Sequence, residues 1–379
     1  MWIGSGLIPL SSSGKNDVDL GEQYFAALAK KSFFCSMLET ESSNGDHKEY
    51  YVLHSLMHDL AQFVSRGECA RVDNDDFRNV MPTTRHLSVV HCGSLNQISR
   101  LKNLRTLIIQ SESYLDEEAE YALQDVLMMS VRLRLLYLYV PSLSHALHKL
   151  GTLTHLRYLF LFSCDRYLII LVHRLYHLKV LKINYFTDKE EYFSCIPNLR
   201  SLHCLHAPEN IMSSKILNTR MLTRLQQLHV FSIAENDGQR LMALRNLTAL
   251  RQLSLRNLQN VKNSKESEAI KIKGKQHMRF LSLSWNQYLN DPENLDHRII
   301  DSLEPNKEIE QLHIHGYSGV QPPIWIENSS LIHLVSLELE CCMNWKTVPS
   351  FQKLSSLKYL KLEHLLQLEC IGTVTRELF

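Results

Sequence analysis

The chain has 379 residues, with 41 Lys+Arg against 40 Asp+Glu and a formal net charge of +1. That length suffices for two domains or one long array, and the balanced charge gives no general electrostatic reason for a nucleic-acid or anionic-membrane partner. Hydrophobic residues at 45% and only 13 glycines exclude a disordered or fibrous chain.

The N-terminus, "MWIGSGLIPLSSSGK", has no basic start and carries Pro9 inside its short apolar run, so no signal peptide is expected. Residues 21–31, "GEQYFAALAKK", predict a helix with Tyr24, Phe25 and Leu28 on one side. "SFFCSMLE" and "KEYYVLH" predict two strands joined across "SSNGDH", where Asn44-Gly45 is a strong turn signal. From residue 53 on, Leu53, Leu56, Met57, Leu60, Ala61 and Val64 predict one buried helical stripe. His54, His58 and Gln62 share a more polar face. Helix, hairpin, helix over residues 1–80 reads as a partial winged-helix domain. His54 and His58 have the i, i+4 spacing of a zinc pair. No glutamate follows His54 and no third ligand is evident, so no metal site is expected.

The rest of the chain, residues 84–379, is dominated by one repeat. "LKNLRTLII", "LTHLRYLFL", "LYHLKVLKI", "LTRLQQLHV", "LTALRQLSL" and "LSSLKYLKL" share the pattern L-x-x-L-x-x-L-x-L. The first apolar residue of each L-x-L is placed at Leu87, Leu107, Leu136, Leu159, Leu181, Leu202, Leu228, Leu253, Leu281, Leu312, Leu337 and Leu360. Nearly every step fits the roughly 20–29 residues of a leucine-rich repeat. Each L-x-L puts two leucines on one face of a short strand, and only a stacked neighbour can bury them. The fold class expected is α/β: a leucine-rich-repeat solenoid, a curved parallel sheet of about twelve irregular repeats, behind a partial winged helix. Leu159, Leu181, Leu253 and Leu337 are expected in its core. Cys92, Cys164, Asn286 and Cys342 fall three residues after the second apolar position, where a small polar side chain turns inward. The nine cysteines include no Cys-x-x-Cys pair, which fits a reduced, cytoplasmic chain. The apolar core of "RYLIILVHRLYHL" is far shorter than the ~20 residues of a membrane span.

The strand positions that alternate with the leucines line the opposite, concave surface. They are Tyr137 and Tyr139; Tyr158, Phe160 and Phe162; then Lys182, His203, His229, Arg256, His313 and His315. The aromatic set has two readings: a docking surface, or side chains covered by the loops of irregular repeats. The histidines are expected to be solvated or hydrogen-bonded rather than metal-bound.

At this point the sequence resembles a known family. "GEQYFAALAKKSFF", "YYVLHSLMHDLAQFVS" and "LEPNKEIEQLHIHGYSGVQPPIWI" resemble, in order, the C-terminal part of plant intracellular nucleotide-binding, leucine-rich-repeat disease resistance proteins of the coiled-coil class. The resemblance implies an NB-ARC-type module whose winged helix closes with Met-His-Asp. It places that motif on Leu53-His54-Ser55 and makes His54 the histidine that contacts the phosphate of ADP. Leucine replaces the methionine, and serine replaces the aspartate, removing a charge and a strong acceptor. ADP or ATP is implied for a full-length family member. No cofactor is expected on this chain alone, because no G-x-x-x-x-G-K-[ST] phosphate loop occurs in it. The chain is therefore expected to be a fragment, a truncated gene product or a decayed copy.

Two functions follow. The first is a non-catalytic recognition and autoregulatory module of a plant immune receptor. Its partners would be a pathogen effector or guarded host protein, and the receptor's own nucleotide-binding domain; neither nucleic acid nor a membrane span is expected. The second is a stand-alone repeat scaffold such as a ubiquitin-ligase substrate adaptor. An enzyme is not expected, since no nucleophile–base pair or paired-carboxylate motif stands out.

Overall fold

The structure, a computed structural model, describes residues 1–2, 8, 17–40, 47–78, 80–90, 95–141, 147–187, 199–208, 221–235, 238–286, 295–327, 331–348 and 351–371. The chain divides into two compact units, Met1–Ser163 and Cys164–Phe379.

The first unit opens with a helix over Asp17–Lys30, followed by strands β1 (Phe34–Thr40) and β2 (His47–Leu53). These two pair antiparallel from Phe34↔Leu53 to Thr40↔His47, the hairpin that Asn44-Gly45 predicts. Phe25 of the helix packs on Phe34 and Tyr51, with ring centroids 5.2 and 4.9 Å apart. A second helix spans Ser55–Val64. One expectation fails here. The stripe predicted to be buried is not: Leu56 is 66% exposed, Leu60 52% and Val64 73%. The periodicity correctly forms the helix. Nothing among the described residues covers its apolar face.

Strands β3 (Cys69–Asp73), β4 (His86–Val90), β5 (Thr106–Gln110), β6 (Leu135–Tyr139) and β7 (Tyr158–Cys164) then pair in parallel, in chain order. Leu87, Leu107, Leu136 and Leu159 stand in register and are buried, as the repeat requires. The sheet begins one strand earlier than Leu87, with Ala70 beside it. Strand β3 carries no leucine, so the pattern gave no sign of it. Between β5 and β6 the helix Glu117–Met129 starts at an Asp116 cap, whose Oδ1 accepts the Ala119 N–H at 2.8 Å. Three glutamates in its first turn favour the positive end of the helix. It buries Ala119, Ala122, Leu123, Val126 and Leu127.

In the second unit β8 (Val180–Phe186), β9 (Cys204–His206), β10 (Gln227–Ser232), β11 (Gln252–Arg256), β12 (Phe280–Ser284), β13 (Gln311–His315) and β14 (Ser336–Glu340) pair in parallel. A two-stranded pair is formed by β15 (Thr347–Val348) and β17 (Cys370–Ile371), and β16 (Tyr359–Glu363) joins β14. Leu181, Leu253 and Leu337 are fully buried. The fold is thus a winged-helix segment followed by leucine-rich repeats.

The repeat register is wrong at one position. The residue in line with Leu181 and Leu228 is Leu205, not Leu202. Leu202 is buried too, but in the turn that leads into the strand, before Lys179 O receives the His203 and Cys204 N–H groups. The segment reads Leu199-x-x-Leu202-x-x-Leu205-x-Ala207, with alanine replacing the last leucine. Of the four inward polar positions, Cys164 and Cys342 are buried, and burial pushes the Cys342 thiol up to about 12. Asn286 is exposed, and Trp285 takes the inward place, its Nε1–H donating to Asp296 Oδ1 at 2.9 Å. Cys92 lies outside the described residues.

Candidate functional site

His54 caps the helix Ser55–Val64: its Nδ1 accepts the Leu56 N–H at 3.3 Å, and its own N–H donates to Phe33 O at 2.9 Å. The ring caps the helix, and the His54 backbone N–H ties that junction to the hairpin. His58, one turn on, lies 3.3 Å from the Gln62 amide and 3.6 Å from Asp59. Along the same helix Leu56, Leu60, Phe63 and Val64 form the exposed apolar face, with the Arg66 guanidinium 5.4 Å from the Phe63 ring centre.

The aromatic set on β6 and β7 is brought together, but not as an open patch. Tyr137 stacks on Phe160 with centroids 4.2 Å apart and planes 10° from parallel. Tyr139 meets Phe162 at 4.5 Å. Tyr158 and Phe160 are only 4% and 8% exposed, which corrects the expectation that they stand outward in solvent. Successive parallel strands place like residues about 4.8 Å apart, so flat rings cover one another. Tyr137, Tyr139 and Phe162 remain half-buried at the surface, and burial raises the Tyr137 hydroxyl above its ordinary value.

In the second unit the outward positions carry charge and imidazole. Lys182 pairs in register with His206, a residue that the shifted repeat had hidden. His206 stacks on His229 at 3.9 Å. His203, expected on this face, instead sits before the strand with Nδ1 2.7 Å from Ser201 O. A more even repeat spacing would have revealed His206, since placing the leucine at 205 divides the 181–228 interval almost equally. Burial, then His229 and Lys182, hold His206 down to about 4. His229 is also lowered, by burial and then by Arg256 and Lys182.

An open depression of about 600 Å³ follows, lined by His229, Arg256, Ser282, Ser284, His313, His315 and Glu340 among others. Burial lowers His315, and the neighbouring His313 adds to this. Burial alone would raise Glu340. The Lys361 ammonium, 2.7 Å from its Oε1, and His313 more than offset that, so its carboxyl lies below the ordinary value. These groups are fixed by backbone register and can present hydrogen bonds and charge to a partner. Among the described residues, no helix is long and apolar enough to cross a membrane.

The comparisons fit this geometry. A family model described as the disease resistance protein winged helix domain matches residues 1–61, and one described as R13L1/DRL21 leucine-rich repeats matches residues 241–365. Fold and matches agree on a winged-helix segment followed by leucine-rich repeats, each similar to those of disease resistance proteins. Over nearly its whole length the chain is similar to plant disease resistance proteins. A putative disease resistance protein of Arabidopsis thaliana is 28% identical over 98% of this chain and 27% of its own length. The putative disease resistance protein RGA1 of Solanum bulbocastanum is 27% identical over 95% of this chain and 34% of its own. The putative disease resistance RPP13-like protein 1 of Arabidopsis thaliana is 26% identical over 98% and 36%. The chain therefore spans about a quarter to a third of the length of these relatives.

Proposed function

We propose that this chain is the non-catalytic recognition and autoregulatory segment of a cytoplasmic plant immune receptor. Its helix Ser55–Val64 docks a nucleotide-binding domain of the same receptor. Its outward strand positions bind a pathogen effector or a guarded host protein. The observation that carries this reading is the apolar face of Leu56, Leu60, Phe63 and Val64. Four large apolar side chains one turn apart are costly to leave in water, and such a face marks an interaction site. The match of residues 1–61 to the winged helix of disease resistance proteins supports a receptor partner over a ubiquitin-ligase adaptor. Recognition falls to the surface aromatics Tyr137, Tyr139 and Phe162 and to the imidazole-rich face of the second unit.

The test is co-precipitation of this chain with a separately expressed nucleotide-binding domain from a disease resistance protein. The unaltered chain should retain it, and Leu60→Asp with Phe63→Asp should release it while circular dichroism stays unchanged. Equal capture by both forms would refute the helix as the docking face.

A further inference from the structure

The geometry points to a divalent transition-metal site, of the zinc class, on the outward face of β13 and β14, held by His313, Glu338 and Glu340. The site goes beyond the receptor reading and does not depend on it. The candidate ligand atoms of these three residues all lie within 4.8 Å of one another. Register brings them together: His313 pairs with Glu338, and His315 with Glu340, across adjacent parallel strands. No spacing motif could announce this, because the ligands come from two repeats and meet only through the sheet.

Three further observations favour a metal over a plain ion pair. The His313 Nε2 lies 3.2 Å from Glu340 Oε2, yet the buried nitrogen finds no aligned hydrogen-bond partner. Separation alone would suit a hydrogen bond. It equally suits two ligands on one ion, since zinc bonds of about 2.0–2.2 Å put neighbouring ligand atoms about 3.4 Å apart. Second, the other ring nitrogen, Nδ1, faces the Ser282 hydroxyl at 3.3 Å. A metal-binding histidine is commonly oriented in this way, its second nitrogen donating to a neighbouring acceptor while the first is left for the ion. Third, Glu338 is half-buried and forms no ion pair among the described residues, so its carboxylate can turn towards the other two.

Charge sets the limit on affinity. Lys361 donates to Glu340 Oε1 at 2.7 Å and to Glu363 Oε2 at 3.1 Å. It leaves Oε2 of Glu340 for the ion, but its ammonium repels a second cation nearby. The two carboxylates still outweigh one lysine. His313 and Glu340 also line the 600 Å³ depression, from which water or a side chain of a bound protein could complete the shell.

Isothermal titration of the whole chain with Zn²⁺ at pH 7.5 tests this. One site of micromolar affinity is expected. His313→Ala and Glu338→Gln should each weaken it by roughly tenfold or more, and Ser282→Ala should weaken it by about tenfold through the lost orientation of the ring. Lys361→Gln should tighten it, a result that general weakening of the fold would not produce. Circular dichroism checks that each variant folds. Zinc affinity no better than millimolar in the unaltered chain, or titrations unchanged in both His313→Ala and Glu338→Gln, would overturn the site.

Discussion

The helices Glu117–Met129 and Ser55–Val64 carry nearly the same apolar spacing, and only the first buries it. In the first, Ala119, Ala122, Leu123, Val126 and Leu127 stand at i, i+3, i+4, i+7 and i+8, all inside. In the second, Leu56, Leu60, Phe63 and Val64 stand at i, i+4, i+7 and i+8, all outside. The difference lies in what is adjacent. The first helix packs against the preceding turn Leu95–Arg100, which contributes the buried side chains Leu95 and Ile98. The second closes a small hairpin domain that brings no second layer against it. Periodicity states that a face is apolar. It does not state what covers that face.

The largest expected effect tests the buried side of this contrast. Leu123→Ala should destabilise the chain by about 2–5 kcal/mol, because Leu123 is fully buried and its removal leaves a cavity. Denaturant unfolding followed by fluorescence would measure it. A loss under about 1 kcal/mol would mean that this helix is no better covered than its exposed counterpart.

The second test concerns how tightly the repeats close. A Cβ on Gly319 would collide with the Tyr317 ring and its hydroxyl. Tyr317 is fully buried between Trp285 and Trp345, with centroids 5.4 and 6.0 Å away, so it cannot swing aside. Gly319→Ala should therefore cost about 1–3 kcal/mol by overpacking. Tyr317→Phe, which removes only the hydroxyl, combined with Gly319→Ala should recover little, since ring carbons also lie in the way.

How far each region could be read from sequence follows from the same contrast. Leu87 through Leu159, and Leu228 through Leu360, stand in the predicted line because each repeat copies its neighbour. Copying is a redundant signal, and one residue cannot shift it. It fails where a copy is degraded: with Ala207 in place of leucine, Leu202 matches the pattern as well as Leu205 does, and β3, with alanine and valine, carries no match to it. The site suffered more. His206 is displaced by that shift, Phe160 is covered by stacking on Tyr137, Tyr158 is buried opposite Leu135, and the His313–Glu338–Glu340 cluster exists only across strands. Helix and hairpin boundaries near the N-terminus were legible from local turn and capping chemistry. Burial there was not.

A smaller effect checks the corrected register through pH. His206 is held near 4, well below the ordinary 6.5, by burial and by His229 and Lys182 on the adjoining strands β10 and β8. Between these values the unfolded chain binds a proton that the folded chain refuses. Stability from this group is therefore fully present above about pH 6.5 and is lost as pH falls towards 4. Discounted for its partial exposure, the loss should be about 1 kcal/mol. His206→Asn should flatten that part of the stability curve, whereas His203→Asn, outside the strand, should leave the slope as it is. Equal flattening by both would return the repeat to the Leu202 register.

The smallest expected effect is the sharpest test of the opening contrast. Leu60 and Leu123 are both leucines at the middle of a helix, and alanine has the higher intrinsic helix propensity of the two. Truncating Leu60 to alanine in this chain alone should thus change stability by no more than about 0.5 kcal/mol, because its side chain is already 52% exposed and no cavity forms. The same substitution measured in the presence of a docked nucleotide-binding domain should cost more, since the methyl groups would then be leaving a covered surface. Comparing unfolding midpoints of Leu60→Ala and the unaltered chain, free and in complex, separates the two states. A loss of several kcal/mol in the free chain would show that the helix face is already buried. The contrast between the two helices would then vanish, and with it the support for docking at this face.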